Sequence, residues 1–149
     1  MTIIALDPGI TTGCAIRTDS QLYRTLVVHK NTEIRELIKY HQPSVCIFED
    51  FNSAGLIDKN GQATLRLIGY IEAITQVMNI PTCLQFPRER YPFIEPARKM
   101  IRAMNKKYLI HEVDALSHLL LYEDRVQRGV LDKIIATRRT NRVNTNVNV

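Results

Sequence analysis

The sequence predicts an α/β protein built on a five-stranded mixed sheet whose first three strands run antiparallel. Three short apolar segments separated by turns open the chain, and two further apolar segments alternate with stretches of helical periodicity. The 149 residues, 45% hydrophobic and 23% charged, are typical of one soluble domain with a substantial core. We expect this domain to span residues 1–128 and residues 129–149 to form a basic, Asn/Thr-rich, mobile tail.

The first two strands surround a turn marked by Pro8 and Gly9. An Ile-rich run ends on Asp7, and the apolar residues 14–16 begin the return strand. Glycine supplies the positive φ of tight turns, and proline cannot continue a ladder. A buried carboxylate without a partner costs several kcal/mol. Asp7 therefore either holds a metal, a helix N-terminus or a phosphate's counter-ion, or it caps the turn by accepting a backbone N–H.

A third strand and a first helix follow. Residues 21–28 alternate enough to form the strand. The apolar stripe of residues 31–41 predicts a helix that begins at a cap on Asn31 or Thr32 and that Pro43 ends.

The fourth strand is a continuous apolar run at residues 44–49, typical of a strand buried on both faces of a sheet. It also ends on an acid, Glu49, and a loop at 51–61 follows. If this strand lies beside the first, two like charges meet at one edge, which is costly unless a cation is present.

The longest predicted helix spans residues 62–79, and its apolar residues cover a wide arc. They are Ala63, Leu67, Ile68, Tyr70, Ile71, Ala73, Ile74, Val77 and Met78. This arc exceeds what one sheet would cover. The helix is either a central core helix or one that serves both the core and a homodimer contact, and we favour the second interpretation.

A fifth strand at residues 81–86 leads into a basic segment with a short helix at about 94–104. The cations of this segment are Arg88, Arg90, Arg98, Lys99, Arg102, Lys106 and Lys107. Residues 1–87 carry 7 Lys and Arg against 8 Asp and Glu, whereas residues 88–149 carry 13 against 7. A neutral half joined to a basic half favours a polyanionic partner such as nucleic acid. The alternative is a solvated basic face or tail without a ligand.

The last helix is predicted at residues 111–128, ended by Gly129. His111 and Asp114 are three residues apart and share one face at its start. His118 lies one turn beyond Asp114, and we interpret it as a satisfied core residue, which is the commoner role of a single histidine on a packed helix.

These elements place four polar residues near one another. When the fourth strand lies parallel beside the first, Asp7 and Glu49 are neighbours at one edge of the sheet. The last helix, packed across that face, would bring His111 and Asp114 to them.

Three segments resemble the motifs of RuvC-type Holliday junction resolvases, which have a ribonuclease-H-like fold. They are LDPGITTGCA at 6–15, CIFED at 46–50 and HEVDALSHLL at 111–120, in the family's order. The order of strands and helices agrees with the family from residue 1 to about 128.

The resemblance implies a metal-dependent endonuclease that cuts Holliday junctions or other branched DNA by two-metal hydrolysis, with paired nicks from a homodimer. Its catalytic and metal-binding residues fall on Asp7, Glu49 and Asp114, with His111 at a position that is acidic in some members and histidine in others. The implied cofactor is Mg²⁺, two ions per active site, with Mn²⁺ also accepted. The candidate DNA-binding residues are Phe51, Asn52, Arg88, Arg90, Lys99, Lys106 and Lys107. Among these, Lys99, Lys106 and Lys107 are candidates for the cation that faces the scissile phosphate.

The chain departs from the family in places. Asp50 follows Glu49 where bacterial members have Gln, and the aromatic Phe51 lies two residues after Glu49 rather than three. The short chain and its Asn-rich tail suit a phage-encoded member, which could cut flaps, forks or three-way junctions as readily as four-way junctions.

Two other functions compete with this interpretation. The segment DPGITTG also resembles the phosphate loop of actin-like kinases, but those folds need two such domains and 149 residues hold one. A non-cleaving module of the same fold that binds branched nucleic acid is the second alternative.

Cysteine usage and hydropathy indicate the compartment. The three cysteines, Cys14, Cys46 and Cys83, lie in apolar runs without a CxxC pair, so we expect reduced core residues. There is no apolar run long enough to span a membrane and no signal-peptide pattern at the N-terminus. We expect a cytoplasmic protein, located in the host cytoplasm if phage-encoded.

Overall fold

A computed structural model describes residues 1–51, 58–104 and 107–130 of the chain. Its elements are β1 (Ile3–Asp7), β2 (Thr12–Arg17), β3 (Tyr23–Val28), α1 (Asn31–His41), β4 (Val45–Glu49), α2 (Lys59–Val77), β5 (Thr82–Gln85), α3 (Tyr91–Ala103) and α4 (Ile110–Gln127). A short 3₁₀ turn, Pro87–Arg90, joins β5 to α3. Of the predicted tail at 129–149, residues 131–149 lie outside the described residues.

The strands form one mixed sheet in the order β3-β2-β1-β4-β5. The strands β1, β2 and β3 are antiparallel neighbours, whereas β4 runs parallel to β1 and β5 parallel to β4. This confirms the predicted five-stranded mixed sheet. Because α1 connects β3 to β4, the chain crosses over the sheet and returns beside its central strand, β1.

Helices cover both faces of the sheet, so β1 and β4 are buried on two sides. In β1, Ile3 and Ala5 point to the face that α3 and α4 cover, and Ile4 and Leu6 point to the face of α1 and α2. The two-residue period of a strand produces this division. The same period decides to which face the polar side chains at the ends of the strands point.

The bounds of α1 are those predicted, but its predicted cap is wrong. Asn31 and Thr32 lie inside the helix, and Lys30 is the N-cap residue. The Glu33 carboxylate accepts hydrogen bonds from the backbone N–H groups of His29 and Lys30, at 2.9 and 3.3 Å. A longer side chain reaching back from the first turn therefore replaces the expected cap.

The other helices begin earlier than predicted. The carboxylate of Asp58 accepts a hydrogen bond of 2.7 Å from the Gly61 N–H, so α2 begins at Lys59 rather than at 62. In α3, Pro92 occupies the first turn, where its missing N–H costs nothing, and the helix begins at Tyr91 rather than at about 94. The last helix, α4, begins and ends one residue earlier than predicted.

Three strands are shorter than predicted. They begin at Tyr23, Val45 and Thr82 rather than at 21, 44 and 81, and β5 ends at Gln85 rather than at 86. The flanking residues Ser44 and Pro81 still take part in backbone hydrogen bonds, to Thr2 and from Cys46 at 2.9 Å each, but lie outside the regular strands. The predicted loop at 51–61 lies in part outside the described residues.

Burial divides the wide apolar arc of α2. Its residues Leu67, Ile68, Ile71 and Ile74 are buried against the sheet and α1. A second row, spaced four residues apart, is exposed on the opposite side; we call it the outer stripe of α2, and it consists of Leu65, Gly69, Ala73 and Val77. The helix thus has a core face and a separate outward face of small and apolar residues.

The three cysteines are buried and form no disulfide, as predicted. None of the helices in the described ranges is long and apolar enough to cross a membrane.

Candidate active site

Strand parity directs two acids to the same face of the sheet. Asp7 follows Ile3 and Ala5 in the two-residue period of β1, and Glu49 follows Ile47 in that of β4. Both side chains therefore point toward α4 at the carboxyl ends of two adjacent parallel strands, as predicted. A third polar residue, Gln85, ends β5 in register with Glu49.

Gly13 lets α4 begin directly above this edge. It pairs with Asp7 across the β1–β2 ladder, and a Cβ at this position would overlap the carbonyl oxygen of His111. The backbone of α4 thus approaches β2 more closely than a residue with a side chain permits. This contact explains the second glycine of the first motif.

The first residues of α4 reach Asp7. Nδ1 of His111 lies 2.9 Å from Oδ2 of Asp7, and its N–H donates to the carboxylate. Burial raises the pKa of Asp7, the hydrogen bond from His111 opposes this, and the negative charges of Asp114 and Glu49 raise the pKa further. The structure therefore brings all four predicted residues to one edge of the sheet.

Arg90 joins the two remaining carboxylates. Its Nη1 lies 3.1 Å from Oδ1 of Asp114, and its Nε lies 3.6 Å from Oε2 of Glu49. Burial raises the pKa of Asp114, the Arg90 charge opposes this, and the Glu49 charge raises the pKa further. A guanidinium thus supplies positive charge between two acids that would otherwise repel each other.

His118 is buried, as predicted for a core residue, but it also contacts the site. Its Nε2 lies 3.3 Å from Oε2 of Glu49, and its Nδ1 lies 2.7 Å from Oε1 of Gln85. The prediction that His118 is a buried core residue is therefore correct, but it did not include the contact with Glu49.

The side chains of this edge match a divalent cation in chemistry. Carboxylate oxygens with one imidazole are suited to Mg²⁺ and Mn²⁺. Burial is the main cause of the raised pKa of Asp7, and the neighbouring charges of Asp114 and Glu49 add to it. Within residues 1–51, 58–104 and 107–130, no three His, Cys, Asp or Glu side chains are arranged as a ready metal cluster. Arg90 and the histidines hold the carboxylates instead, and the role of these residues as metal ligands stays a prediction.

The other candidate DNA-binding residues are exposed, packed against the core, or outside the described residues. Arg88, Lys99 and Lys107 are exposed, and Phe51 is partly buried against the core on the α1 and α2 side. Asn52 and Lys106 lie outside the described residues. Among the members that the structure describes, Arg90 contacts Glu49 and Asp114.

Sequence reasoning missed the contacts that Arg90, Gln85 and His118 make. Gln85 carried a usable signal, because it is a polar residue at the end of an apolar strand with the parity of Glu49. His118 carried another, one turn beyond Asp114. The position of Arg90 depends on the 3₁₀ turn, which no periodicity predicts.

No protein-family model and no curated protein sequence matches the chain. Solved structures match its fold. A complex of Thermus thermophilus RuvC with Holliday junction substrate shares 14% identity and a TM-score of 0.69, over 87% of this chain and 98% of that one. A fowlpox virus resolvase in complex with Holliday junction DNA shares 14% identity and a TM-score of 0.58, over 85% and 99%. These similarities confirm the predicted fold.

Proposed function

We propose that this chain, which has the ribonuclease-H-like fold of RuvC-type Holliday junction resolvases, is a metal-dependent endonuclease of branched DNA. The observation that carries the proposal is the meeting of Asp7, Glu49, His111 and Asp114 at one edge of that fold. The two solved neighbours, at 14% identity, are each in complex with Holliday junction DNA, which supports four-way junctions as the first substrate to test.

The acidic residues and His111 would hold two Mg²⁺ or Mn²⁺ ions. When bound, such ions activate a water and stabilise the leaving oxygen of a phosphodiester. Asp7 lies on the central strand and is nearly buried, so its position is tightly defined by the β1 ladders. His111 directs Nδ1 to Asp7, which leaves its Nε2 as the atom for a metal.

Arg90 is our candidate for the cation that faces the scissile phosphate. It contacts Glu49 and Asp114, whereas Lys99 and Lys107 are exposed on or beyond α3. A guanidinium presents several N–H donors in a plane and suits phosphate oxygens. Its ion pairs orient it at the edge where the phosphate would lie.

A homodimer would match the symmetry of a four-way junction. Two symmetric nicks require two active sites related by a two-fold axis. The outer stripe of α2 is exposed, with Gly69 and Ala73 at its centre, and small residues let two helices approach closely. We assign this stripe to contact with a second copy of the chain.

Cleavage assays with an inactivated variant test the proposed function. Labelled four-way, three-way, flap and linear DNAs are incubated with Mg²⁺ and with Mn²⁺. We expect paired nicks in branched DNA, and we expect Asp7→Asn to abolish cleavage while junction binding persists, because the amide removes a ligand charge without changing shape. Asp124→Asn, the same change near the far end of α4, is the matched control and should cut normally.

Intact cleavage by Asp7→Asn would contradict the site. Absence of nicking of every branched DNA with both metals, with binding retained, would favour the non-cleaving module of the same fold.

A further inference from the structure

Behind Glu49, two buried side chains link the carboxylate to the interior of the protein. His118 and Gln85 are both 0% exposed. The imidazole of His118 lies between Gln85 and Glu49, with its Nδ1 2.7 Å from Gln85 Oε1 and its Nε2 3.3 Å from Glu49 Oε2. A chain of three polar groups therefore runs from β5 through α4 to β4.

The fold brings these groups together for reasons visible in the strands. Gln85 and Glu49 are register partners on adjacent parallel strands and share the parity that points to α4. His118 lies four residues after Asp114, on the face of α4 that covers this edge. The buried polar row is thus built from three separate elements.

One arrangement of hydrogen-bond donors and acceptors among Gln85, His118 and Glu49 suits a neutral imidazole. As placed, both imidazole nitrogens face oxygen atoms, and Gln85 Nε2 has no hydrogen-bond partner among the residues that the structure describes. A half-turn of the Gln85 amide exchanges its nitrogen and oxygen within the same volume. Nε2 then donates to Nδ1 of His118, and Nε2–H of His118 donates to Glu49. The imidazole then stays neutral, and one of the two N–H groups of the Gln85 amide gains an acceptor.

We propose that Gln85 and His118 are positioning residues for Glu49. The Gln85 amide holds His118 in the Nε2–H tautomer, and that N–H orients the Glu49 carboxylate toward the site. The inference rests on the proposed function, because Glu49 is a metal ligand only there. His118 itself touches neither substrate nor metal.

The tautomer is measured without metal or DNA. In protein labelled with ¹⁵N-histidine, long-range ¹⁵N–¹H spectra report which nitrogen of each of the 4 histidines carries the proton. The His118 signals are identified by their loss in His118→Gln. We expect a neutral ring protonated at Nε2. A ring protonated at Nδ1, or at both nitrogens, would overturn the proposal.

The positioning role is measured by binding of Mn²⁺ alone, using isothermal titration calorimetry. His118→Asn retains a polar group near Nδ1 but does not reach Glu49, so we expect Mn²⁺ affinity to fall about 10- to 100-fold. His118→Gln places an amide N–H near the former Nε2 and should retain most of the affinity. Ile101→Val is the control, since it removes one buried methyl group from α3 and leaves Gln85, His118 and Glu49 unchanged.

Gln85→Met is a second variant that tests the inference even if His118→Asn does not fold. It preserves side-chain length, removes the amide, and should yield a mixture of His118 tautomers together with weaker Mn²⁺ binding. Wild-type Mn²⁺ affinity in both His118→Asn and Gln85→Met would overturn the inference. That result would leave the proposed function intact if the wild-type protein still cuts junctions and Asp7→Asn does not.

Discussion

Gly13 decides how closely α4 approaches the sheet. Because a Cβ there would overlap the His111 carbonyl oxygen, Gly13→Ala must displace the start of α4. We expect the free energy of unfolding to fall by about 1–3 kcal/mol, as in other overpacked sites. Denaturation in urea, followed by circular dichroism, measures this loss, and cleavage should fall with it because His111 and Asp114 move away from Asp7.

Gly9→Ala is the matched control in the same turn. Its Cβ would lie 3.3 Å from the Thr11 carbonyl oxygen, a contact that a small shift relieves. A Gly13→Ala protein as stable as Gly9→Ala would contradict the close packing of α4 on β2.

Arg90 supplies the positive charge between Glu49 and Asp114 when no metal is bound. We expect Arg90→Gln to destabilise the metal-free protein by about 1–3 kcal/mol, because a partly buried pair of acids loses its cation. Added Mn²⁺ should then raise the melting temperature more in Arg90→Gln than in the wild type. Differential scanning fluorimetry with and without Mn²⁺ measures both effects.

An exposed ion pair provides the comparison for Arg90. Arg128, whose side chain is 71% exposed, pairs with Asp124 on α4. Arg128→Gln should change stability by less than about 1 kcal/mol and leave the Mn²⁺ response unaltered. Equal responses of the two variants would show that Arg90 does not balance the acids.

At the scale of elements, α2 carries a face that the single chain leaves exposed. Ala73→Glu places a charge in the outer stripe, where a second copy would exclude water, so we expect the dimer dissociation constant to rise at least about tenfold. Size-exclusion chromatography with light scattering over a concentration series measures it. Tyr40→Glu, at an 84% exposed position on α1, is the control. A wild-type monomer at all concentrations would contradict the dimer.

The elements themselves were largely predictable from local pattern. Strand order follows from the apolar runs and from the crossover through α1. The face to which Asp7 and Glu49 point follows from the alternation of side chains along β1 and β4. The starts of the helices were less predictable. They depend on hydrogen bonds that the Glu33 and Asp58 carboxylates accept from backbone N–H groups, and the spacing of apolar residues does not reveal these bonds. The contacts of Arg90 and His118 depend on tertiary packing, which single-residue patterns do not contain.

Over the whole molecule, the net charge of +5 and the basic second half favour a polyanion. If the protein contacts about 6 phosphates, junction affinity should fall about 10³-fold between about 50 and 200 mM salt. Fluorescence anisotropy with the non-cleaving Asp7→Asn protein measures the slope. Affinity independent of salt would mean that the basic half is a solvated face without a nucleic-acid role.

The phage origin and cytoplasmic location stay predictions.

The proposed site draws its acids from distant parts of the chain, with Asp7 on the first strand and Asp114 on the last described helix. Because translation proceeds from the N-terminus, the strands that carry Asp7 and Glu49 are synthesised before the helix that carries Asp114. Such a nascent polypeptide is incomplete in its ligands until α4 emerges and docks over Gly13. If the chain is the nuclease proposed above, synthesis of α4 is the step that makes its metal site complete.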